Sequence, residues 1–307
     1  MKKIRTVSVA GAGAVGAVLA DSLTAYLGKQ NVQVLADGER LERYKAQGLF
    51  LDGRKLDFNY VSPQKARAAD LVIIATKNLQ LKEAVSLIKS SVKEDTLILS
   101  VLNGIKSERD LAEVFGEKAV LYSFVLSVNS IHEKNQIRCS SRGCIIFGEK
   151  DNSKTERTES LCELFKASGI DYRNPDDIHL EQWKKFLLNV TFNTISAVCR
   201  STYGGFKFSA IRDLVRLAGS EVVRVANAEG IALTQKHIED NLALCESWDP
   251  LGETSMLQDF KAGRKSENDW FCGTVVSLGK KHGIETPVCS ILQKIVEGME
   301  KARELRV

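Results

Sequence analysis

The sequence predicts an α/β chain: a doubly wound parallel sheet followed by an all-helical C-terminal domain. Three observations carry that prediction. An apolar run feeds straight into Gly11-x-Gly13-x-x-Gly16, and a helical pattern follows. Short apolar runs then alternate with helical stretches through the first half, the pattern of βαβ units. From Ile178 to Arg303 helical periodicity takes over.

The elements follow in order. Residues 7–10 read as the first strand, apolar enough to be buried on both faces. Residues 14–27 read as a helix with Val15, Val18, Leu19, Leu23 and Leu27 at core spacing. Residues 32–36 form the second strand, and 40–47 a short helix closed by Gly48. A strand at 71–75, a helix at 81–90 and a strand at 96–101 come next, then a turn at Asn103-Gly104. A helix at 108–115 and a strand at 119–125 complete the alternation, and 131–148 reads as an antiparallel extension. Residues 160–167 are helical, and the character changes near 168–177. We therefore expect a dinucleotide-binding domain at 1–170 and a helical substrate and dimerisation domain at 171–307. Breaks in the helical half fall at Gly204-Gly205, Gly230, Asp249-Pro250 and 283–287.

Composition narrows the function classes. The 307 residues are 44% hydrophobic and 27% charged, with a formal charge of +4, the profile of a globular protein without a polyanion-binding surface. Nucleic acid is not an expected partner. No uncharged apolar stretch reaches membrane-spanning length, and the N-terminal run lacks a signal-peptide core. The expectation is a cytoplasmic protein with no membrane partner, whose helical half has apolar faces enough for a homodimer. The seven cysteines form no CxxC pair and the four histidines lie far apart, so no metal site is expected.

The glycine motif stands between a strand and a helix, the context in which it binds a dinucleotide and marks a Rossmann-type sheet. Gly11, Ala12, Gly13, Ala14, Val15 and Gly16 are the expected cradle. Gly11 suits a tight turn, Gly13 the approach of a pyrophosphate, and Gly16 close helix–strand packing. Asp37 follows the second strand and suits both hydroxyls of an adenosine ribose, while repelling a 2′-phosphate. It leans the cofactor, NAD or NADP, toward NAD. Arg40 could still grip a phosphate, and Asp37 reads equally as the cap of the next helix.

Two polar landmarks end strands, Thr76-Lys77 and Asn103-Gly104, at the edge where open α/β sheets bind ligands. Lys77 suits a cofactor phosphate or a substrate carboxylate; it also reads as a solvated loop lysine. Lys185, Asn189 and Asn193 recur every four residues among Phe186, Leu187, Val190 and Phe192. Such a stripe lines a site or joins a hydrogen-bonded seam between helices. If it lines a site, Lys185 is the best acid for protonating a reduced carbonyl. Thr254 and Ser255 suit a helix cap or a carboxylate. Glu267, placed on a helix with Asn268-Asp269-Trp270, reads from composition as a surface or capping residue.

Taken together and in order, these motifs resemble the ketopantoate reductase (2-dehydropantoate 2-reductase) family across nearly the whole chain. The resemblance implies reduction of a small 2-keto acid to a 2-hydroxy acid with NADPH or NADH. It implies Lys185 as catalytic proton donor and Glu267 as the acid that orients the substrate hydroxyl and the lysine. It implies Asn103, Asn189, Asn193 and Ser255 as substrate contacts, with Lys77, Asn103 and Glu267 also near the cofactor. Departures are Ala36-Asp37-Gly38 where the family often has an arginine, and Cys272-Gly273 where it commonly has Asn-Gly. NAD-dependent D-2-hydroxyacid dehydrogenases of the same family, acting on mandelate-like or branched acids, are the alternative. A non-catalytic dinucleotide-binding protein is the second alternative, and the lysine and paired asparagines argue against it.

Overall fold

The computed structural model describes residues 3–305 and divides the chain into two compact units. Among the described residues, the first holds 3–102 and 106–178, and the second holds 103–105 and 179–305. The first unit thus runs past the expected limit at 170, and a three-residue loop within its span groups with the second unit.

The first unit is built on one sheet. Its strands are β1 (Val7–Ala10), β2 (Val32–Leu35), β3 (Phe50–Leu51), β4 (Arg54–Lys55), β5 (Asn59–Val61), β6 (Leu71–Ile74), β7 (Leu97–Ser100), β8 (Val120–Glu133), β9 (Gln136–Gly148) and β10 (Tyr172–Arg173). The order β5-β2-β1-β6-β7-β8 is parallel throughout, the doubly wound arrangement expected from the sequence. The antiparallel β9 extends it, with β3, β4 and β10 beyond.

Five helices flank the sheet: α1 (Ala14–Leu27), α2 (Gly38–Gln47), α3 (Leu81–Ile88), α4 (Ser107–Phe115) and α5 (Glu156–Ala167). Side chains alternate along each strand, so each face gets its own core. Val7, Val9, Val34, Leu71 and Ile73 pack with Leu19 and Leu23 of α1 and Phe165 of α5. Ala10, Leu35, Val72, Ile74 and Ile98 pack with Leu81, Ala84 and Ile88 of α3 and Leu111 of α4. Both faces being covered is why these strands read as largely apolar runs.

Gln33 interrupts that run yet is fully paired. Its Nε2 donates to Ser8 Oγ (3.1 Å) and Arg67 O (2.8 Å), and its Oε1 accepts from Arg67 N (2.9 Å). Asp70 fastens the start of β1: its Oδ2 accepts from Arg5 N, Thr6 N and Thr6 Oγ1 at 2.9–3.0 Å.

The second unit is helical: α6 (Ile178–Leu188, from His179 onward), a π-helical turn Asn189–Asn193, α7 (Thr194–Cys199), α8 (Ser209–Ala228), α9 (Gln235–Cys245), α10 (Ser255–Lys261), α11 (Cys272–His282) and α12 (Pro287–Glu304). Its core gathers Trp183, Phe186, Phe192, Phe206, Val222 and Phe271, with Phe192 stacked on Phe206 at 4.5 Å. Buried Glu221 closes the start of α12, accepting from Val288 N and Cys289 N at 2.8 Å each.

Candidate functional site

The glycine turn assigns each glycine a different job. Gly11 has φ of +98°, and a Cβ there would stand 2.7 Å from the backbone of Ala75 and Thr76. A Cβ on Gly16 would meet Gly11 O at 1.9 Å and Ala75 Cβ at 2.9 Å. These two let β1, α1 and the end of β6 touch. Gly13 differs: its φ is −72°, and a Cβ would find nothing within 4 Å. No contact inside the protein requires a glycine there, so the bare α-carbon leaves open space at the mouth of α1. That helix begins without a side-chain cap and without an acid in its first turn. Its N–H groups and partial positive charge suit a phosphate. Thr76, just beyond β6 and against Gly11, keeps a buried hydroxyl with no partner. The turn therefore fits a dinucleotide diphosphate.

Asp37 caps α2. Its Oδ1 accepts from Gly38 N at 2.8 Å, and the helix starts at Gly38 rather than near Arg40. The carboxylate is exposed beside the end of β2, so the cap reading is realised while the side chain stays open to solutes. Lys77 is half-buried and precedes a short 3₁₀ turn, Asn78–Gln80.

The remaining sequence-predicted residues lie in the second unit. Asn103 and Glu267 meet across 164 positions of sequence: Asn103 Nδ2 donates to Glu267 Oε2 at 3.1 Å. Glu267 is 8% exposed. It sits in a loop before the 3₁₀ turn Asn268–Trp270, and α11 starts only at Cys272, which corrects its expected place on a helix.

Lys185 is half-buried, one turn before Asn189. The uniform four-residue stripe does not continue as α-helix, because Asn189–Asn193 form a π turn. Thr191 supplies a local reason. Its hydroxyl donates to Leu187 O at 2.8 Å, competing for the carbonyl an α-helical N–H would use. Such turns recur at functional sites because they re-aim side chains. Asn193 Nδ2 donates to Asn189 Oδ1 (3.2 Å), and Asn193 Oδ1 accepts from Ser255 Oγ (3.0 Å) and Met256 N (3.3 Å). Asn189 Nδ2 is buried without a hydrogen-bond partner.

Thr254 caps α10 through Leu257 N (3.2 Å) and meets Ser196 Oγ at 2.9 Å, fixing α10 against α7. Cys272 is buried and its thiol donates to Thr194 Oγ1 at 3.6 Å. Its hydrogen bond to Cys289, together with burial, holds the Cys289 thiol well above its ordinary pKa, an unreactive setting. Thr191 did not stand out in the sequence, and Thr76 did so only within the Thr76-Lys77 landmark, with no role of its own.

Known proteins share this architecture. The model of the family described as Ketopantoate reductase PanE/ApbA matches residues 7–152, and that of Ketopantoate reductase PanE/ApbA C terminal matches 177–300. The 2-dehydropantoate 2-reductase of Lactococcus lactis subsp. lactis is 25% identical, covering 96% of this chain and 98% of its own. That of Pyrococcus horikoshii is 26% identical, over 95% and 96%. A solved D-mandelate dehydrogenase with NADH and anilino(oxo)acetate superposes with a TM-score of 0.87 at 25% identity, over 97% of this chain and 99% of that one. The two family models together span most of the sequence, and this chain belongs to the ketopantoate reductase family of oxidoreductases.

Proposed function

We propose that this protein reduces a 2-keto acid to the 2-hydroxy acid, with 2-dehydropantoate as the first substrate to test and NADH as the favoured cofactor. The observation that carries the reading is the buried polar cluster one turn beyond Lys185, where Asn189 keeps an unused amide donor among apolar residues. A buried donor without a partner is costly in a finished fold and is expected where a ligand completes it.

In this reading the first unit binds the dinucleotide. The α1 N–H groups behind Gly13 hold the diphosphate, Lys77 neutralises it, and Asp37 takes the ribose hydroxyls. A reduced dinucleotide held by these residues would supply the hydride chemistry that reduction of a keto carbon needs. Lys185 gives its proton to the keto oxygen, and its ammonium stabilises the charge that grows there. Glu267, fastened by Asn103, orients the lysine and the new hydroxyl. Asn189 donates to a substrate oxygen, and Ser255, whose one O–H is spent on Asn193 Oδ1, supports that cluster from behind.

A second reading, an NAD-dependent D-2-hydroxyacid dehydrogenase, is favoured by Asp37 and by the likeness to the NADH-bound D-mandelate dehydrogenase. Loss of NADH and NADPH absorbance, followed with ketopantoate, 2-ketoisovalerate and benzoylformate, separates the two by kcat/KM. Consumption with none of these acids would refute both and leave a non-catalytic dinucleotide-binding protein.

A further inference from the structure

The amide chain in the second unit has a fixed direction, and that direction dictates what Asn189 can offer. Met256 contributes a backbone N–H, which can only donate. The Asn193 atom facing it must therefore be the carbonyl oxygen, at 3.3 Å, an end that also accepts from Ser255 Oγ at 3.0 Å. This turns the Asn193 NH₂ toward Asn189, where it donates to Oδ1 at 3.2 Å. The Asn189 oxygen is then turned toward Asn193, and the end left without a partner is its buried NH₂. Both asparagines are at least 95% buried, so water cannot readily relax either orientation.

We propose that Asn193 is a positioning residue that acts through Asn189, setting it as a hydrogen-bond donor so that the site selects ligands presenting a buried acceptor oxygen. Neither end of the Asn193 amide is left unbonded for the substrate. The chemical class that satisfies Asn189 is a carboxylate or keto oxygen. This rests on the 2-keto acid reading above and adds to it which residue carries the selectivity.

Asn193→Asp tests the direction. An aspartate keeps the bonds from Met256 N and Ser255 and still fits the volume, but it presents an oxygen to Asn189. The Asn189 amide must then flip to donate inward and show its own oxygen to the ligand. The KM for the keto acid is expected to rise at least about tenfold, the loss of one buried hydrogen bond to a charged group. NADH affinity should be unchanged. Asn193→Ala frees Asn189 to face either way and should cost less in KM while costing more in thermal stability. A purely structural Asn193 predicts the same order in both measurements.

A double-mutant cycle separates the relay from simple charge repulsion. In an Asn189→Ala background, adding Asn193→Asp should change KM less than twofold. Additive losses would overturn the proposal, since a through-space charge acts whether or not Asn189 is present. Side-chain amide exchange by NMR reads the same direction with no substrate. The Asn193 NH₂ should be protected and the Asn189 NH₂ should exchange, with Asn189 gaining protection in Asn193→Asp. The reverse pattern in the native protein refutes the relay even if no 2-keto acid is turned over, an outcome that sinks only the functional reading.

Discussion

Replacing Gly13 by alanine should separate folding from ligand binding, because the glycine turn holds two structural glycines and one that the fold does not need. At Gly16 an added methyl collides with a carbonyl oxygen at 1.9 Å. Overpacking of that kind costs about 3 kcal/mol, several degrees in melting temperature for a chain of this size. At Gly13 the methyl meets nothing within 4 Å and φ is already −72°. The folding cost of Gly13→Ala should stay near 0.5 kcal/mol, that of a poorer helix cap. The same methyl would stand where the diphosphate must approach the α1 N–H groups. Weakening a charge-assisted hydrogen bond or two there costs about 2 kcal/mol, near thirtyfold in Kd. Calorimetry for NADH affinity and thermal melts for stability, on Gly13→Ala and Gly16→Ala together, give the comparison. A Gly13→Ala protein that binds NADH as tightly as the native one refutes the assignment of that open space to the cofactor.

Other consequences follow from the same geometry. Asp37→Ser keeps the helix cap but removes the charge, so the ratio of NADPH to NADH efficiency should rise at least about tenfold with an unchanged melting temperature. An unaltered ratio would leave Asp37 as a cap alone. Glu267→Ala should lower kcat/KM by roughly a hundredfold and Asn103→Ala by less, since Asn103 holds the carboxylate in place; the opposite order contradicts that division.

Asp70 gives a pH test. Burial opposes its ionisation, but the bonds from Arg5 N, Thr6 and Lys93 outweigh it and hold the carboxyl below its ordinary range. A depressed folded-state pKa means the stability is present above the unfolded value and is lost as pH falls through the folded one. Asp70→Asn should therefore cost on the order of 2 kcal/mol at neutral pH and flatten the acid limb of the stability curve. A parallel limb in that variant would show the carboxylate is not the titrating group.

The sheet was legible because its central strands are buried on both faces and read as short apolar runs. β5 was not, since Asn59–Val61 is half-buried at the sheet edge and carries no run. The β3–β4 hairpin also escaped, although Asp52-Gly53, both at positive φ, is its turn signal. The strand expected at 119–125 continues to Glu133 because β9 pairs with it throughout, and pairing of that length has no local signature.

The polar spacing of Lys185, Asn189 and Asn193 was visible, but a helical period assumes a uniform helix and cannot anticipate a π turn. The Asn103–Glu267 bond was hidden for another reason. It joins a strand-end loop of the first half to a loop of the second, and no pattern within either segment marks its partner. Composition therefore read Glu267 as a surface residue, whereas packing buries it.

Proton delivery by the Lys185 ammonium is tested by the rate of NADH oxidation by Lys185→Ala under single-turnover conditions. With saturating keto acid and NADH limiting relative to enzyme, the rate should fall by about 10² to 10⁴, while NADH affinity stays within about threefold of native. A Lys185→Ala enzyme that oxidises NADH at the native rate would contradict the account.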